Sequence, residues 1–258
     1  MRKPAYLSSE DILDNANALF REEQSKDLRA TIADKIQDFR HYDVQAMERV
    51  VAISFWGRSG SILMASYLDG HDDVIMLPAT RSDSIYMFFD LYNSLSLQQK
   101  LLAFPAFTRL YDTTSEGSGC RGSFFEGIFA ISSAQYYEAV QAICKACANL
   151  PPDFVTSRRA FFLFAHIAYN LALGRRPATS RPLIVCALHD RDGARAMQLV
   201  ADFPKAKLLY TIRDPISSFD RFFDWFFDPE LFQPVDPLRG TRAVSYTHLW
   251  LDCIHLED

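Results

Sequence analysis

The chain has 258 residues, 49% of them hydrophobic, so it is long enough to bury a large core as one domain. Its formal net charge of −5 and isoelectric point near 5.7 exclude a general nucleic-acid-binding surface, so any anion site must be a local cluster of arginines. No apolar stretch approaches the roughly 20 residues that a membrane-spanning helix needs, and we expect a soluble, cytoplasmic protein.

The beginning of the chain predicts two amphipathic helices within residues 1–48. Ser8 is a capping residue, and Glu10 and Asp11 suit the first turn of a helix that extends to about Glu23. Apolar residues then recur at spacings of four and three across residues 28–39. We expect these two helices to flank a sheet.

A βαβ unit follows. Residues 50–55 are β-rich, with Ser54 as the one polar interruption, which is typical of a central parallel strand covered on both faces. Residues 61–68 predict a helix that Gly70 ends, and residues 73–77 predict a second strand. The spacing of these three elements indicates a strand, a crossover helix and a parallel strand.

The middle of the chain, residues 81–178, is mainly helical in pattern. We interpret it as a helical insert that shapes a substrate pocket. Gly117, Gly119 and Gly122 interrupt it, but no strand precedes them, which favours a connection over a phosphate loop. Cys144 and Cys147 form a C-x-x-C pattern without a second pair, so we expect them to pack in the core and not to bind zinc.

Two more strands are predicted near the end. Residues 183–188 form an apolar run that ends at His189, and residues 207–212 form another that ends at Arg213. A helix over residues 193–203 separates them, and residues 217–227 are helical in pattern and strongly aromatic. In open α/β sheets, ligands bind outside the carboxyl ends of the strands, so the polar residues at these ends are candidates for a site.

The turn after the first strand has the parts of a phosphate cradle, which are free N–H groups at a helix start, glycine for close approach and a cation. It is too short for the nucleoside-triphosphate loop G-x-x-x-x-G-K-[ST] and lacks the lysine, which disfavours a kinase or ATPase. We expect it to bind one terminal phosphate-like group. The residues of this turn are Gly57, Arg58, Ser59, Gly60, Ser61 and Ile62.

Two segments carry a family resemblance. Residues 55–68 resemble the 5′-phosphosulfate-binding strand, loop and helix of the sulfotransferases, with Arg58 in the place of a loop lysine. Residues 210–215, Tyr-Thr-Ile-Arg-Asp-Pro, resemble their 3′-phosphate-binding segment, and residues 203–207 before them are similar as well. The similarity covers residues 50–78 and 183–227 and leaves the middle of the chain unmatched.

The resemblance implies transfer of a sulfuryl group from 3′-phosphoadenosine 5′-phosphosulfate, without a metal, to a hydroxyl or amine acceptor. It implies that Arg58 holds the 5′-phosphosulfate and offsets charge on the leaving phosphate. It also implies that Arg213, with Ser217 or Arg221, holds the 3′-phosphate. Arg221 stands where the family places a serine, so either the arginine binds the phosphate or Ser217 or Ser218 takes over that role.

His189 is the candidate general base, since histidine has a suitable unperturbed pKa and His189 precedes Arg213 by 24 residues, much as the catalytic histidine of cytosolic sulfotransferases precedes its arginine. The lysine that those enzymes place two residues earlier is Ala187 here. Other branches of the family use a glutamate after the second strand, where this chain offers Asp83 or Asp90.

The sequence therefore predicts an α/β fold, a P-loop-like three-layer domain with a mostly parallel sheet of four or five strands and a helical insert, over residues 1–243. Two alternatives remain, a nucleotide or nucleoside kinase and a noncatalytic nucleotide-binding or truncated family member. Residues 244–249, Val-Ser-Tyr-Thr-His-Leu, are one translation of a common sequencing adaptor. We expect residues 244–258 to be a non-native tail, the alternative being a short native one. The acceptor and the oligomeric state are not predicted.

Overall fold

The computed structural model describes residues 7–20, 28–55, 61–77, 84–108, 131–188 and 193–211. Within these ranges, four parallel strands form one sheet in the order β2-β3-β1-β4. The strands are β1 Val50–Phe55, β2 Val74–Met76, β3 Leu183–Leu188 and β4 Lys207–Thr211. This arrangement confirms the predicted α/β class.

Helices surround the sheet. Their bounds are α1 Ser9–Phe20, α2 Leu28–Arg40, α3 Ser61–Leu68, α4 Ile85–Leu91, α5 Leu97–Thr108, α6 Ser133–Cys147, α7 Pro152–Val155, α8 Arg158–Ala172 and α9 Ala194–Asp202. Helices α4 to α8 come between β2 and β3 in the chain, as the predicted helical insert requires.

The two faces of the sheet are covered by different helices, because alternate residues of a strand point to opposite sides. Ile53 and Ala187 pack with Ala65 of α3 in a small apolar cluster, and we call this side the α3 face. Ala52 and Leu188 belong to the main apolar core, which includes residues of α4, α5, α6, α8 and α9. We call this side the α9 face. The result is a three-layer domain with the sheet in the middle.

Helix α8 is the centre of the main core. The Ser157 hydroxyl caps it by accepting a hydrogen bond of 3.0 Å from the Ala160 N–H group. Every residue from Ala160 to Ala172 is buried. The ring of Phe162 lies 5.7 Å from that of Tyr86 and 5.1 Å from that of Phe203, which ties α8 to α4 and to the end of α9.

The N-terminal helices pack differently from the prediction. Helix α1 begins with a reciprocal pair in which the Ser8 hydroxyl accepts from the Asp11 N–H group and the Asp11 carboxylate accepts from the Ser8 N–H group. However, α1 packs mainly on α5, and α2 mainly on α6. The Lys35 Nζ also donates to the Leu171 carbonyl oxygen of α8 at 2.7 Å. Both helices therefore rest on the insert and do not flank the sheet directly, because the insert already covers that layer.

The C-x-x-C pair lies in α6, and the prediction that it packs in the core is confirmed. Cys147 is buried and Cys144 is half-buried against the same apolar core. Burial raises the pKa of Cys144 to about 11 and that of Cys147 to about 12, so both thiols are protonated at neutral pH. Among the described residues, no group of three or more His, Cys, Asp or Glu side chains could hold a metal ion. None of the helices in the described ranges is long and apolar enough to cross a membrane.

Candidate functional site

Three strands end level with one another at the carboxyl edge of the sheet. Leu188 of β3 pairs with Ser54 of β1, and Thr211 of β4 pairs with Phe55 of β1. Neighbouring strands lie about 4.8 Å apart, so the ends of β3 and β4 are roughly 10 Å apart with β1 between them. Residues that follow these three strands therefore begin at one small area of the edge.

The same area is a topological switch point. Helix α3 follows β1 and packs on the α3 face, whereas α9 follows β3 and packs on the opposite face. Because β1 and β3 are neighbours and the helices that follow them lie on opposite faces, this edge is the switch point of the strand order. In open α/β sheets, the ligand crevice lies outside the carboxyl ends of the strands at such a switch point.

Helix α3 begins close to the carboxyl end of β1. Strand β1 ends at Phe55, and α3 begins at Ser61, only five residues later. The first-turn N–H groups of a helix have no partner within the helix and carry partial positive charge. Ser61 and Ile62 of the predicted phosphate cradle lie in this first turn, and their role as donors stays a prediction.

The other predicted site residues lie outside the described residues. Three separate segments contain them, 56–60, 189–192 and 212–258, and each segment directly follows one of the three level strand ends. The residues are Gly57, Arg58, Ser59, Gly60, His189, Arg213, Ser217 and Arg221. The described structure thus brings together the strand ends from which these residues come, and the positions of their side chains stay predictions.

The strand ends themselves supply little chemistry. Leu188 and Cys186 of β3 are buried on the α9 face. Burial raises the pKa of the Cys186 thiol to about 12, so it is not a thiolate nucleophile at neutral pH. Ser54 is buried and uncharged. Strands β1 and β3 themselves therefore contain no charged side chain.

The sequence interpretation missed a buried polar pair on α8. The Nδ1 atom of His166 lies 2.8 Å from the Phe162 carbonyl oxygen. This contact requires a proton on Nδ1, so Nε2 is an acceptor, and no described residue donates to it. Burial lowers the pKa of His166 to about 4, which leaves the ring neutral at physiological pH.

The second member of the pair links α8 to the sheet. The Asn170 Nδ2 group donates to the carbonyl oxygens of Met76 at 3.2 Å and of His166 at 2.9 Å. Met76 pairs with Val185, which is level with Val51, four residues below the end of β1. At about 3.3 Å per residue, this contact lies about 13 Å below the edge. Asn170 therefore belongs to the core, and the only sequence signal for the pair is its i, i+4 spacing on an otherwise apolar helix.

A second missed feature joins α8 to the end of α9. The Arg158 guanidinium donates from Nε and Nη2 to the two Asp202 carboxylate oxygens at 2.7 and 3.0 Å. It also lies over the Tyr86 ring, 5.4 Å from the ring centroid. The hydrogen bonds to Asp202 raise the pKa of Arg158 further. Since Asp202 precedes β4, this cluster lies at the amino edge of the sheet, opposite the candidate site.

No family model matches the chain, and neither the curated proteins nor the solved structures give a significant match. The function must therefore be inferred from the residues of this chain and from the geometry of the strand ends.

Proposed function

We propose that the protein is a sulfotransferase that moves a sulfuryl group from 3′-phosphoadenosine 5′-phosphosulfate to a hydroxyl or amine acceptor. The observation that supports this most is the level ending of β1, β3 and β4 around the switch point. Each of these ends is followed by a residue suited to one part of the reaction, Arg58, His189 and Arg213.

Arg58 and the first-turn N–H groups of α3 bind the 5′-phosphosulfate in this proposal. The turn has one cation and two glycines but lacks the lysine of a triphosphate loop, which suits a single phosphate-like group. As the sulfuryl group leaves, negative charge grows on the 5′-phosphate. Donors already in place around that phosphate stabilise the charge without reorganisation.

Arg213 binds the 3′-phosphate, with Ser217 or Arg221 as the second contact. Strand β4 lies directly beside β1, so a residue shortly after Thr211 is within reach of a nucleotide bound at the end of β1. A guanidinium group can donate to phosphate oxygens in a bidentate manner, which fixes orientation as well as charge. A requirement for a 3′-phosphate is what separates this proposal from ATP binding.

His189 accepts the proton of the acceptor in this proposal. The acceptor oxygen or nitrogen forms a bond to sulfur while the bond between sulfur and the 5′-phosphate oxygen breaks. The products are the sulfated acceptor, 3′-phosphoadenosine 5′-phosphate and a protonated His189. Because β3 and β1 are neighbours, the base and the phosphosulfate approach the same crevice from two strands.

The experiment is transfer of labelled sulfate from the donor onto panels of carbohydrate, lipid and small phenol acceptors. We expect one panel to be labelled by the wild type and none by Arg58→Ala. Arg181→Ala is the matched control, because Arg181 precedes β3 at the opposite edge and pairs with Asp43. Hydrolysis of ATP or transfer of its phosphate, with no sulfate transfer to any panel, would contradict the proposal.

A further inference from the structure

Two buried acceptor atoms lie one helix turn apart on α8. His166 and Asn170 are both 0% exposed, and neither the His166 Nε2 atom nor the Asn170 Oδ1 atom has a hydrogen-bond partner among the described residues. In folded proteins the large majority of buried polar side-chain atoms are hydrogen-bonded, because an unpaired one costs free energy. Two such atoms on one face of a helix therefore point to a ligand.

Neither atom has a proton to donate. The Nδ1 proton of His166 is used by the Phe162 carbonyl oxygen at 2.8 Å, so the neutral ring has only a lone pair at Nε2. The Asn170 Nδ2 group donates to the Met76 and His166 carbonyl oxygens, which assigns the other amide atom as oxygen. Two acceptors cannot bond to each other, so a ligand of both must supply two donors.

The spacing of the two acceptors suits one small molecule. Each side chain bonds to the carbonyl oxygen of the residue four positions earlier, at 2.8 Å for His166 and 2.9 Å for Asn170. The two side chains therefore lie in similar positions one turn apart, which separates their acceptor atoms by about 5–6 Å. Two hydrogen bonds of about 2.8 Å from one central atom span up to about 5.6 Å.

The surroundings favour a neutral ligand. The Phe162 ring lies against the His166 ring, with centroids 4.5 Å apart, and every residue of α8 from Ala160 to Ala172 is buried. The pKa of His166 is lowered by burial and raised in part by the Phe162 carbonyl oxygen, and neither cause is a charged group. A cation would lose its hydration here with no counter-charge among the described residues, which costs far more than burying a neutral molecule.

We propose that His166 and Asn170 hold one buried water molecule, which donates one proton to His166 Nε2 and the other to Asn170 Oδ1. Water is the smallest molecule with two donors, and buried waters in proteins typically make two to four hydrogen bonds. Because Asn170 also donates to the Met76 carbonyl oxygen, the water completes a polar network that joins α8 to β2. The inference does not depend on the proposed sulfotransferase activity.

Nuclear magnetic resonance of the isotope-labelled full chain tests for this water. The protons on Cδ2 and Cε1 of His166 flank Nε2 and do not exchange with solvent, so an Overhauser cross-peak between them and water reports a molecule held at Nε2. We expect cross-peaks with the sign of a long-lived water at both protons, and nitrogen shifts of a ring protonated at Nδ1. Missing cross-peaks in the wild type, or a ring protonated at Nε2, would overturn the inference.

Asn170→Leu keeps the approximate size of the side chain and removes the Oδ1 acceptor. It should abolish both cross-peaks, because one partner does not hold a water in apolar surroundings. Asn149→Leu is the matched control, since Asn149 is exposed, and it should leave the cross-peaks unchanged. Cross-peaks that persist in Asn170→Leu would show that Asn170 is not a partner and would contradict the bridge.

A high-resolution crystal structure of the wild type replaces the variant if Asn170→Leu does not fold. A water within about 3.2 Å of both His166 Nε2 and Asn170 Oδ1 is the expected result. A water on one of these atoms alone, or a protein donor on either, would overturn the proposal. Sulfate transfer is measured separately, so failure of either proposal leaves the other standing.

Discussion

His166 should make the stability of the protein fall steeply in mild acid. Its ring is fully buried, and desolvation is the main cause of a folded-state pKa of about 4, against the usual 6.5. In the unfolded chain the ring takes up a proton below pH 6.5, whereas in the folded protein it stays neutral until about pH 4. The unfolded state binds more protons in this range. The contribution of neutral His166 to the free energy of unfolding is therefore fully present above pH 6.5 and is lost as the pH falls towards 4.

The size of the loss follows from the two pKa values. Between pH 7 and pH 5, the shift of His166 from its usual pKa to about 4 lowers the free energy of unfolding by about 2 kcal/mol. At pH 4 the loss reaches about 3 kcal/mol. Solvent does not screen this contribution to the free energy of unfolding, because His166 is 0% exposed.

Urea unfolding at pH 7, 6 and 5 measures this loss in the wild type and in His166→Leu. The variant lacks the Nδ1 hydrogen bond and is less stable at pH 7, but its stability should fall by about 2 kcal/mol less between pH 7 and pH 5. His71→Leu is the matched control because the His71 side chain is exposed. Parallel pH profiles for wild type and His166→Leu would refute the reasoning.

Three further predictions concern the site and the backbone. Arg58→Ala and Arg213→Ala should each weaken the binding of 3′-phosphoadenosine 5′-phosphate, measured by calorimetry, roughly ten- to hundredfold. Each variant loses a charge-assisted hydrogen bond of about 1.5–3 kcal/mol. The control Arg181→Ala should bind the nucleotide as the wild type does. His189→Ala should abolish sulfate transfer and leave nucleotide binding nearly unchanged, with exposed His71→Ala as the control, and full turnover in His189→Ala would remove His189 from the reaction. Gly193→Ala should lower the free energy of unfolding by about 1 kcal/mol. Gly193 precedes α9 at φ +75°, and an added Cβ would meet open space, so the cost comes from backbone strain alone. Undiminished stability in urea unfolding would contradict this prediction.

The sequence predicted local elements well where the apolar pattern is unbroken. Strands β1 and β3 and helix α3 have the predicted bounds, because β-rich runs and a terminating Gly70 mark them. Strand β2 is shorter than predicted, at Val74–Met76, since only three of its residues pair with β3. The short helix α7 was not predicted, although Pro152 at its first position is a typical start.

Tertiary relations were harder to predict. The order β2-β3-β1-β4 depends on which strand each crossover reaches, and no local pattern encodes that choice. For the same reason, the packing of α1 and α2 on the insert was predicted wrongly. The strand ends of the candidate site could be predicted because polar residues directly follow apolar strands. His166 and Asn170 could not, since their role depends on the Phe162 and Met76 carbonyl groups that the fold brings to them.

The central claim is that the crevice above β1 binds a 3′-phosphorylated adenosine nucleotide. Calorimetric titration of the full chain with 3′-phosphoadenosine 5′-phosphate, beside ATP with magnesium, tests it most directly. We expect 3′-phosphoadenosine 5′-phosphate to bind more tightly, and Arg213→Ala to remove most of that preference. Tighter binding of ATP with magnesium would contradict the claim and favour a kinase.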